Sequence, residues 1–450
     1  MKFDAIVVGA GTGGSITAKT LTSMGLKVCL IDLKDKKTIG NKVCGDAIGK
    51  HHFDNLGIPC PKGEELEQVI NGIKVFSPDL QTVFRLSEEK LPGFMINRYL
   101  FGQRLLNDAV DAGAILFDST YVSEPIIKDG YVKGVLAKDI KTGSKLEIKS
   151  EVTIDASGVS AVVRSKLPPE IRIDTVVKKE DQIVCYREIR ELKKVMDEPD
   201  FCQIYLDLES APGGYYWIFS EGGNRVNVGL GVVESEGHPN PKNQLYERVL
   251  SGPLFKSSDL IHGGGGIVPT RRPLDSLVGN GIVVIGDSAC CVNPIHGGGM
   301  GPSMTAGKIA GEVITKALEA SEPTLERLWP INVQYMRSYG AKQAGLDVFR
   351  LFLQGLTNDD LNYGMRYRLI KEDDVIVAGL DGDVNLDITD ATRRVFIGLG
   401  RFMFLRKLYY MAKLSKKAKA LYRHYPNSPE DISDWKVEVQ EVFKRIYRVF

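Results

Sequence analysis

Short apolar runs and stretches of helical spacing alternate along the first part of this 450-residue chain. One apolar run covers 3–8 and a second covers 27–32, and the stretch between them, to about Ser23, has helical spacing. A buried parallel strand is typically a short continuous apolar run, so this order predicts a strand–helix–strand unit. A further run at 282–285 predicts another buried strand, followed by a glycine-rich loop and a helix with small residues.

The pattern changes twice in the rest of the chain. Residues 98–113 have helical spacing, and 115–154 read as short strands separated by turns. Residues 170–270 alternate and are rich in β-forming types, which predicts a separate sheet. From about 326 to 450 the pattern is helical, without further glycine motifs. The chain is therefore expected to combine an α/β unit, a second sheet and a helical C-terminal region.

Charge and cysteine content narrow the classes of protein to consider. The 58 Lys and Arg residues balance 57 Asp and Glu residues, and the net charge of +1 argues against a nucleic-acid binder. The seven cysteines are an odd number without metal-ligand spacing, so we expect a mostly reduced protein and no zinc site. No apolar run reaches about 18 residues and a strand begins at residue 3, so we expect neither a membrane-spanning helix nor a signal peptide. These expectations together indicate a cytoplasmic protein.

Glycine is in clear excess, at 47 of 450 residues against a usual share of about 7%. The first cluster is Gly9-x-Gly11-x-x-Gly14, directly after a predicted strand and at the start of a predicted helix. Gly9 permits a tight turn, Gly11 lets a pyrophosphate approach the backbone, and Gly14 lets helix and strand pack closely. Asp32 ends the second strand, where an acid accepts a hydrogen bond from a ribose hydroxyl. A chance glycine turn is the alternative, but the full strand–helix–strand context favours a dinucleotide site.

A second glycine cluster follows the predicted strand at 282–285. The strand leads into Gly286 and Asp287, and the segment 294–301 then carries four glycines within five positions. An acid at a strand end can bind a ribityl hydroxyl, and glycines let a flat ring lie against the backbone. A helix beginning near Pro302 would direct its positive end at that ring and stabilise an anionic reduced flavin. A plain structural turn is the alternative, although it would not require so many glycines.

The order of these motifs resembles that of FAD enzymes of the p-hydroxybenzoate hydroxylase type. The motifs, in chain order, are Gly9-x-Gly11-x-x-Gly14, Arg98-x-x-x-x-Gln103, Asp155-x-x-Gly158 and Gly286-Asp287. Within that group the chain is similar to the geranylgeranyl reductases. The two motifs behind that second likeness are Lys42-Val43-Cys44-Gly45-Asp46 and Pro212-x-x-Tyr215-x-Trp217-x-Phe219. The usual aromatic motif ends in Pro after the Phe, and this chain has Ser220 there instead.

The resemblance implies an α/β fold: a Rossmann-type FAD-binding domain of the glutathione reductase or p-hydroxybenzoate hydroxylase kind, an inserted α+β substrate domain and a helical C-terminal region. The expected extents are 1–60, 95–168 and 276–325 for the FAD-binding domain, 61–94 and 169–275 for the substrate domain, and 326–450 for the helical domain. The expected FAD contacts are Gly9, Gly11, Gly13, Gly14, Asp32, Lys42, Cys44, Gly45, Asp46, Arg98, Gln103, Asp155, Gly158, Gly286, Asp287, Pro294, Gly298, Gly299 and Met300.

Four residues are expected to act in catalysis. Tyr215, Trp217 and Phe219 alternate, so on a strand they share one face. That face would form an apolar wall suited to a long isoprenoid chain, with an ordinary core strand as the alternative. The resemblance also implies that the loop around Cys44 reaches the flavin and that Cys44 faces the substrate cavity. For Cys44 the alternative is a small buried hydrophobic residue.

Two interpretations are possible for each of four further residues near these motifs. His296 lies in the second glycine cluster and is either a proton donor or a partner of the backbone, and we favour the backbone. Arg271 and Arg272 either bind an anion or cover a helix end. Lys42 either belongs to the flavin loop or is a solvated surface charge.

The C-terminal region carries a basic stretch without Asp or Glu between 401 and 425. Its eight cations are Arg401, Arg406, Lys407, Lys413, Lys416, Lys417, Lys419 and Arg423. Apolar residues are interleaved with them, which is typical of a basic amphipathic helix. Such a helix either contacts an anionic membrane surface or a phosphorylated lipid, or packs on the core with a solvated basic face. Peripheral contact with the inner face of the membrane is thus an open expectation.

The activity implied by the resemblance is the FAD-dependent saturation of double bonds in a geranylgeranyl chain, carried on a diphosphate or a lipid, as in archaeal ether-lipid synthesis. An isolated alkene has no activating carbonyl, so we expect protonation to accompany hydride delivery from the reduced flavin. The faces of Trp217, Tyr215 or Phe219 would stabilise the developing positive charge. The proton would come from water, Cys44 or Tyr215, and the electrons from an external donor, either NAD(P)H or a ferredoxin.

Three other functions share this fold. A flavin monooxygenase would consume oxygen and hydroxylate its substrate. A dehydrogenase linked to a membrane quinone is a second alternative, although the chain lacks a cysteine set for an iron–sulfur cluster. A prenyl-binding chaperone would need the fold but no flavin, so a colourless protein would favour it.

Overall fold

The computed structural model describes residues 1–87, 92–369, 372 and 402–448. The strands are β1 (Lys2–Val8), β2 (Val28–Ile31), β3 (Ala47–Gly49), β4 (Leu66–Ile70), β5 (Gly72–Phe76), β6 (Val83–Ser87), β7 (Gly93–Ile96), β8 (Ile115–Phe117), β9 (Thr120–Lys128), β10 (Tyr131–Asp139), β11 (Lys145–Asp155), β12 (Ile183–Glu191), β13 (Phe201–Tyr205), β14 (Tyr216–Ser220), β15 (Arg225–Val233), β16 (Asp259–Val268), β17 (Val278–Gly279) and β18 (Ile282–Val284). The helices are α1 (Thr12–Ser23), α2 (Lys50–Leu56), α3 (Arg98–Asp111), α4 (Pro241–Gln244), α5 (Met300–Ala320), α6 (Leu325–Tyr335), α7 (Ala341–Gln354), α8 (Asn358–Arg366), α9 (Phe402–Arg423) and α10 (Ile432–Tyr447).

An eight-stranded sheet forms the frame of the dinucleotide-binding unit. Its main path runs β17-β18-β11-β1-β2-β8, and the antiparallel strands β10 and β9 extend it from β11. Strand β1 pairs in parallel with β2 and with β11, and β11 pairs in parallel with β18. The parallel strands are buried, which explains their continuous apolar runs. The predicted Rossmann-type arrangement is confirmed, with α1 crossing between β1 and β2.

A second, seven-stranded sheet has the order β16-β12-β15-β14-β13-β5-β6. The pairs β12–β15, β14–β15 and β13–β14 are antiparallel, and β13–β5 is parallel. The sheet takes β5 and β6 from the chain before α3, and its other strands from 183 to 268. A small sheet has the order β3-β7-β4, with β5 and β6 of the seven-stranded sheet between β4 and β7 in sequence. The Cys44 loop leads directly into β3.

The C-terminal region is helical where the structure describes it, as predicted. Helix α9 packs along α7 and α10 packs on α9. Their apolar residues join the same buried core as the eight-stranded sheet, so the helices extend that core instead of forming one of their own. Across the described ranges we find no helix that is both long enough and apolar enough to span a bilayer.

Candidate active site

The first glycine cluster forms the turn between β1 and α1. Gly9 has a φ of +103°, and a Cβ there would lie 2.3 Å from the carbonyl oxygen of Ala156. A Cβ on Gly14 would lie 1.9 Å from the Gly9 oxygen. In contrast, a Cβ on Gly11 would meet no described atom within 4 Å. The glycines therefore close the turn while leaving open space before the positive end of α1, which suits a phosphate.

Arg98 supplies a second feature that fits an anionic cofactor. Arg98 is the first residue of α3 and is only 8% exposed. Its Nε and Nη1 nevertheless have no hydrogen-bond partner among the described residues. A buried guanidinium with unused donors is costly unless an anion pairs with it. Lys34 lies nearby, and burial together with the charges of Lys42 and Arg98 lowers its pKa, although Asp32 opposes the shift. These cations line the space beside the glycine turn, as a pyrophosphate would require.

The acid at the end of β2 is held by the same turn. The Asp32 carboxylate accepts hydrogen bonds from the backbone N–H of Ala10 at 2.8 Å and of Lys34 at 2.8 Å. Its position at the strand end is the one that a ribose-binding acid occupies in dinucleotide folds. Gly13 lies on the first turn of α1, where a Cβ would come within 3.0 Å of Ser303 in α5.

Two of the predicted FAD contacts hold protein segments in place. The amide of Gln103 donates to the carbonyl oxygens of Lys36 and Ile39, at 2.9 and 2.6 Å, and so fixes the loop after β2. Asp155 is fully buried, and its carboxylate accepts from the backbone N–H groups of Ser157 and Arg164, among others. Gly158 is the next turn residue, with its carbonyl oxygen bound by the Ser288 hydroxyl at 2.8 Å.

The second glycine cluster brings the Cys44 loop and the end of β18 together. Lys42 Nζ lies 2.9 Å from Asp287 Oδ2, so the two predicted FAD motifs form an ion pair across 245 residues of sequence. Gly299 directly precedes α5, whose first turn begins at Met300 and contains no acid. A Cβ on Gly301 would collide with the His52 ring at 2.2 Å. The structure also places Pro294 and Gly298 in this loop.

The three predicted aromatic residues form one wall at β14. Trp217 and Phe219 are both 8% exposed, and their rings lie 6.2 Å apart. Tyr215 is next along the wall, with its ring 6.0 Å from Trp217. Its hydroxyl donates to the carbonyl oxygen of His296 at 2.8 Å, which ties the wall to the glycine loop. Burial raises the pKa of Tyr215 well above its usual value, so the phenol stays protonated.

The Cys44 loop faces this wall. A Cβ on Gly45 would lie 3.4 Å from the Phe219 ring and 3.9 Å from the Trp217 indole nitrogen, so glycine lets the backbone approach the rings. Burial raises the pKa of the Cys44 thiol, and the nearby carboxyl of Asp46 raises it further. The thiol is therefore protonated at neutral pH. The protonated thiol thus belongs to the residue directly before the glycine that lies against the rings.

A buried polar group behind the wall was not predicted. Asn227 of β15 accepts a hydrogen bond from Trp217 Nε1 at 3.0 Å and donates to the Cys44 carbonyl oxygen at 3.0 Å. Arg187 of β12 also donates to that oxygen, at 3.1 Å. A sequence signal existed for Asn227, because a lone amide interrupts the otherwise apolar run 226–233 of β15. Its partners Trp217 and Cys44 lie 10 and 183 residues away in sequence, so they could not be predicted from the strand itself.

His296 takes the backbone role that we favoured, while Arg271 and Arg272 form ion pairs with carboxylates of the protein, which differs from both roles considered for them. The ring of His296 accepts from the backbone N–H of Gly298 at 3.1 Å. Desolvation and the charge of Lys342 lower the pKa of His296 to about 4, so the imidazole is neutral at pH 7. Arg271 and Arg272 are paired with Asp181 and Asp275. These contacts agree with our preference for a backbone partner at His296.

Comparison with known protein families finds one match for the sheet that carries the aromatic wall and one for the region of the glycine turn and the Cys44 loop. The family described as "Geranylgeranyl reductase catalytic domain" matches residues 181–268, which span β12 to β16. The family described as "Glucose inhibited division protein A" matches residues 4–58, which span the glycine turn and the Cys44 loop.

Whole-chain relatives agree with these matches. A digeranylgeranylglycerophospholipid reductase from Sulfolobus acidocaldarius is 45% identical over 98% of this chain and 97% of its own length. One from Methanothrix thermoacetophila is 34% identical over 85% of this chain and 95% of its own length. The crystal structure of a geranylgeranyl bacteriochlorophyll reductase-like protein from Thermoplasma acidophilum superposes with a TM-score of 0.76 at 22% identity, covering 91% of this chain and 99% of that one. The chain therefore belongs to the geranylgeranyl reductase family of FAD-dependent enzymes, and within it to the digeranylgeranylglycerophospholipid reductases.

Proposed function

We propose that this protein saturates the carbon–carbon double bonds of geranylgeranyl chains on a glycerophospholipid, as part of membrane ether-lipid synthesis. The observation that carries the proposal is the aromatic wall of Tyr215, Trp217 and Phe219, held between the Cys44 loop and the glycine loop at 294–301. A wall of this length suits an isoprenoid chain, while a small polar substrate has no use for it. The named relatives that match almost the whole chain support the same substrate class.

The residues around the glycine turn fit an FAD. We infer that the N–H groups at the start of α1 and the unused donors of Arg98 hold its pyrophosphate, and that Asp32 holds its ribose. Asp287 and the loop at 294–301 would hold the ribityl chain and the ring. When bound and reduced, FAD supplies the hydride for the reaction.

The wall then governs how charge develops on the substrate. A trisubstituted alkene accepts hydride at its more substituted carbon if a proton reaches the less substituted one, because that order avoids an unstabilised carbanion. The positive charge that develops lies against the faces of Trp217 and Phe219, which are buried and attract cations. Tyr215 is a poor proton source for this step, since its hydroxyl is bound to the His296 carbonyl and its pKa is raised. The Cys44 thiol is also protonated, and we infer that it is the other side chain able to supply the proton.

The substrate is a membrane lipid, so the enzyme must meet a lipid surface. Lys413, Lys416 and Lys417 are exposed on α9, while Lys419 faces the core and Arg401 lies outside the described residues. We infer that the exposed basic face of α9 contacts anionic headgroups.

NAD(P)H and a ferredoxin remain the two donor classes that we propose for reducing the flavin.

One reaction tests the activity. The purified protein should show the visible absorption of a flavin; after anaerobic reduction with dithionite it should be mixed with a geranylgeranylated glycerophospholipid. Mass spectrometry of the extracted lipid should show a gain of two hydrogens per double bond. A product that contains added oxygen after reaction in air would favour a monooxygenase, and a colourless protein that takes up no FAD would favour a prenyl carrier.

A further inference from the structure

Asp46 lies in a closed polar pocket behind the aromatic wall. It is 4% exposed, and its φ of +59° is a left-handed conformation that Asp tolerates better than most residues. This turn of the backbone directs the Asp46 side chain toward β12 and β15. There Oδ2 accepts from Asn227 Nδ2 at 2.9 Å and lies 3.5 Å from Arg187 Nη2.

The second carboxyl oxygen of Asp46 is in a different environment. Oδ1 is buried and has no hydrogen-bond partner among the described residues. The carboxyl of Glu221 shares the pocket, with Oε1 3.5 Å from Asn227 Nδ2. An ionised carboxylate with one bare oxygen next to a second carboxyl is unfavourable, and a proton on Asp46 removes that cost. Burial raises the pKa of Asp46 to about 7, against the opposing charge of Arg187 and with a further contribution from Glu221.

Cys44 is the group that connects Asp46 to the substrate side. Its carbonyl oxygen accepts from the same Asn227 amide as the Asp46 carboxyl and from Arg187, so the two residues are held side by side. The thiol lies near enough to the Asp46 carboxyl that the charge of Asp46 raises its pKa. Gly45, between the two residues, lies against the rings of Phe219 and Trp217. The Asp46 carboxyl, Cys44 and the aromatic wall are thus brought together by one loop.

We propose that Asp46 is the proton source for alkene reduction and delivers its proton through Cys44. This inference rests on the proposed function. The Cys44 S–H bond breaks as a C–H bond forms at the less substituted carbon, and the Asp46 O–H bond breaks as the thiol is restored. Reduced FAD, when bound, would supply the hydride, with both electrons of the new C–H bond at the other carbon. Solvent returns the proton to Asp46 after turnover.

The pocket also suits the anion that this step leaves. The Asp46 carboxylate is held by the Asn227 amide and faces the Arg187 guanidinium, both of which stabilise its negative charge. Asn227 is a positioning residue in this scheme, because one amide joins Trp217, Cys44 and Asp46. Its burial at 0% exposure keeps those three groups in one geometry.

The test compares Asp46→Asn with the matched control Glu221→Gln in the full-length flavin-loaded protein. Asparagine keeps the size of Asp46 and its tolerance of positive φ, so the loop can form. The first readout needs no turnover: infrared difference spectra recorded during a pH titration should show the C=O stretch of a protonated carboxyl that disappears near neutral pH. We expect Asp46→Asn to remove this band and Glu221→Gln to retain it with its midpoint at lower pH, because Glu221 no longer opposes ionisation of Asp46.

Turnover of a geranylgeranylated glycerophospholipid with dithionite-reduced protein is the second readout. We expect Asp46→Asn to lower kcat by about 100-fold with little change in KM or in the flavin spectrum. The wild-type rate should fall as the pH rises and Asp46 loses its proton. Arg187, Arg98, Cys44 and Glu221 set the midpoint of that fall. The rate of the variant should not fall over this pH range.

A wild-type rate and pH profile in Asp46→Asn, or an unchanged infrared band, would overturn the relay and leave the reductase function standing. A wild-type protein that shows the band but saturates no geranylgeranyl lipid would instead overturn the function on which the relay rests.

Discussion

Single residues in this site work through buried polar atoms as much as through apolar faces. The Trp217 ring is part of the wall and its indole N–H donates to Asn227, so one side chain both forms the wall and fixes the loop behind it. Arg98 is the converse case, a buried cation whose free donors have a use only when an anion is present. These two residues permit separate tests of the substrate wall and of the cofactor site.

Trp217→Ala should slow alkene reduction while the protein keeps its flavin. A desolvated cation–π contact is worth about 2 kcal/mol, which corresponds to about 30-fold in rate. The rate should be measured by hydrogen uptake into the lipid, alongside the flavin absorbance per protein. Trp217→Phe retains an aromatic face without the indole donor and should lose less. Equal rates for Trp217→Ala and the wild type would make the ring a packing residue only.

Arg98→Gln should weaken FAD retention. Hydrogen bonds to a charged group contribute about 1.5–3 kcal/mol, so we expect an FAD dissociation constant about 10- to 100-fold higher. Flavin fluorescence released on dilution measures this constant. Arg104→Gln is the matched control, because Arg104 lies on the same helix but pairs with Glu65 at 2.8 Å. If both variants retain FAD equally well, Arg98 does not contact the pyrophosphate.

At the scale of elements, local motifs were predictable and contacts between distant elements were not. The turn at Gly9 and the shared face of Tyr215 and Trp217 depend on neighbouring residues, so the sequence shows them directly. Asn227 and Arg187 reach Cys44 across 183 and 143 residues, through a sheet pairing that no local pattern encodes. The sequence likewise does not show which cations of α9 are buried, because that depends on which face of the helix packs on α7.

Helix α9 permits a test of membrane contact. Replacing the exposed Lys413, Lys416 and Lys417 by Gln removes three charges, each worth about 1 kcal/mol near an anionic surface. We expect about 100-fold weaker binding to vesicles of anionic lipid in a flotation assay, with added salt weakening the wild type in the same direction. Three exposed lysines on β9–β11, Lys128, Lys138 and Lys145, serve as the charge-matched control. Equal flotation of both triple variants would place the contact elsewhere.

At the scale of the whole molecule, the C-terminal helices are joined to the rest by charge as well as by apolar packing. Arg350 of α7 is 4% exposed, with Nε 2.7 Å from Asp347 Oδ1 and Nη2 2.8 Å from Asp181 Oδ1. Asp181 lies just before β12, so this guanidinium connects the helical region to the sheet that carries the aromatic wall. Arg271 pairs with the same Asp181. The described parts of the molecule should therefore unfold together.

Arg350→Met tests this connection. Removing Arg350 leaves the buried Asp347 without its guanidinium and Asp181 with Arg271 alone, and breaking a buried pair in this way costs about 3–5 kcal/mol. We expect a matching loss in the free energy of unfolding by denaturant, with helical circular dichroism and flavin release following one transition. Arg445→Met removes an exposed pair with Glu441 within α10 and should cost less than about 1 kcal/mol. If Arg350→Met instead releases the helices at lower denaturant while flavin stays bound, the helical region is an independent unit, and the ion pairs at Asp181 only dock it against the reductase sheet.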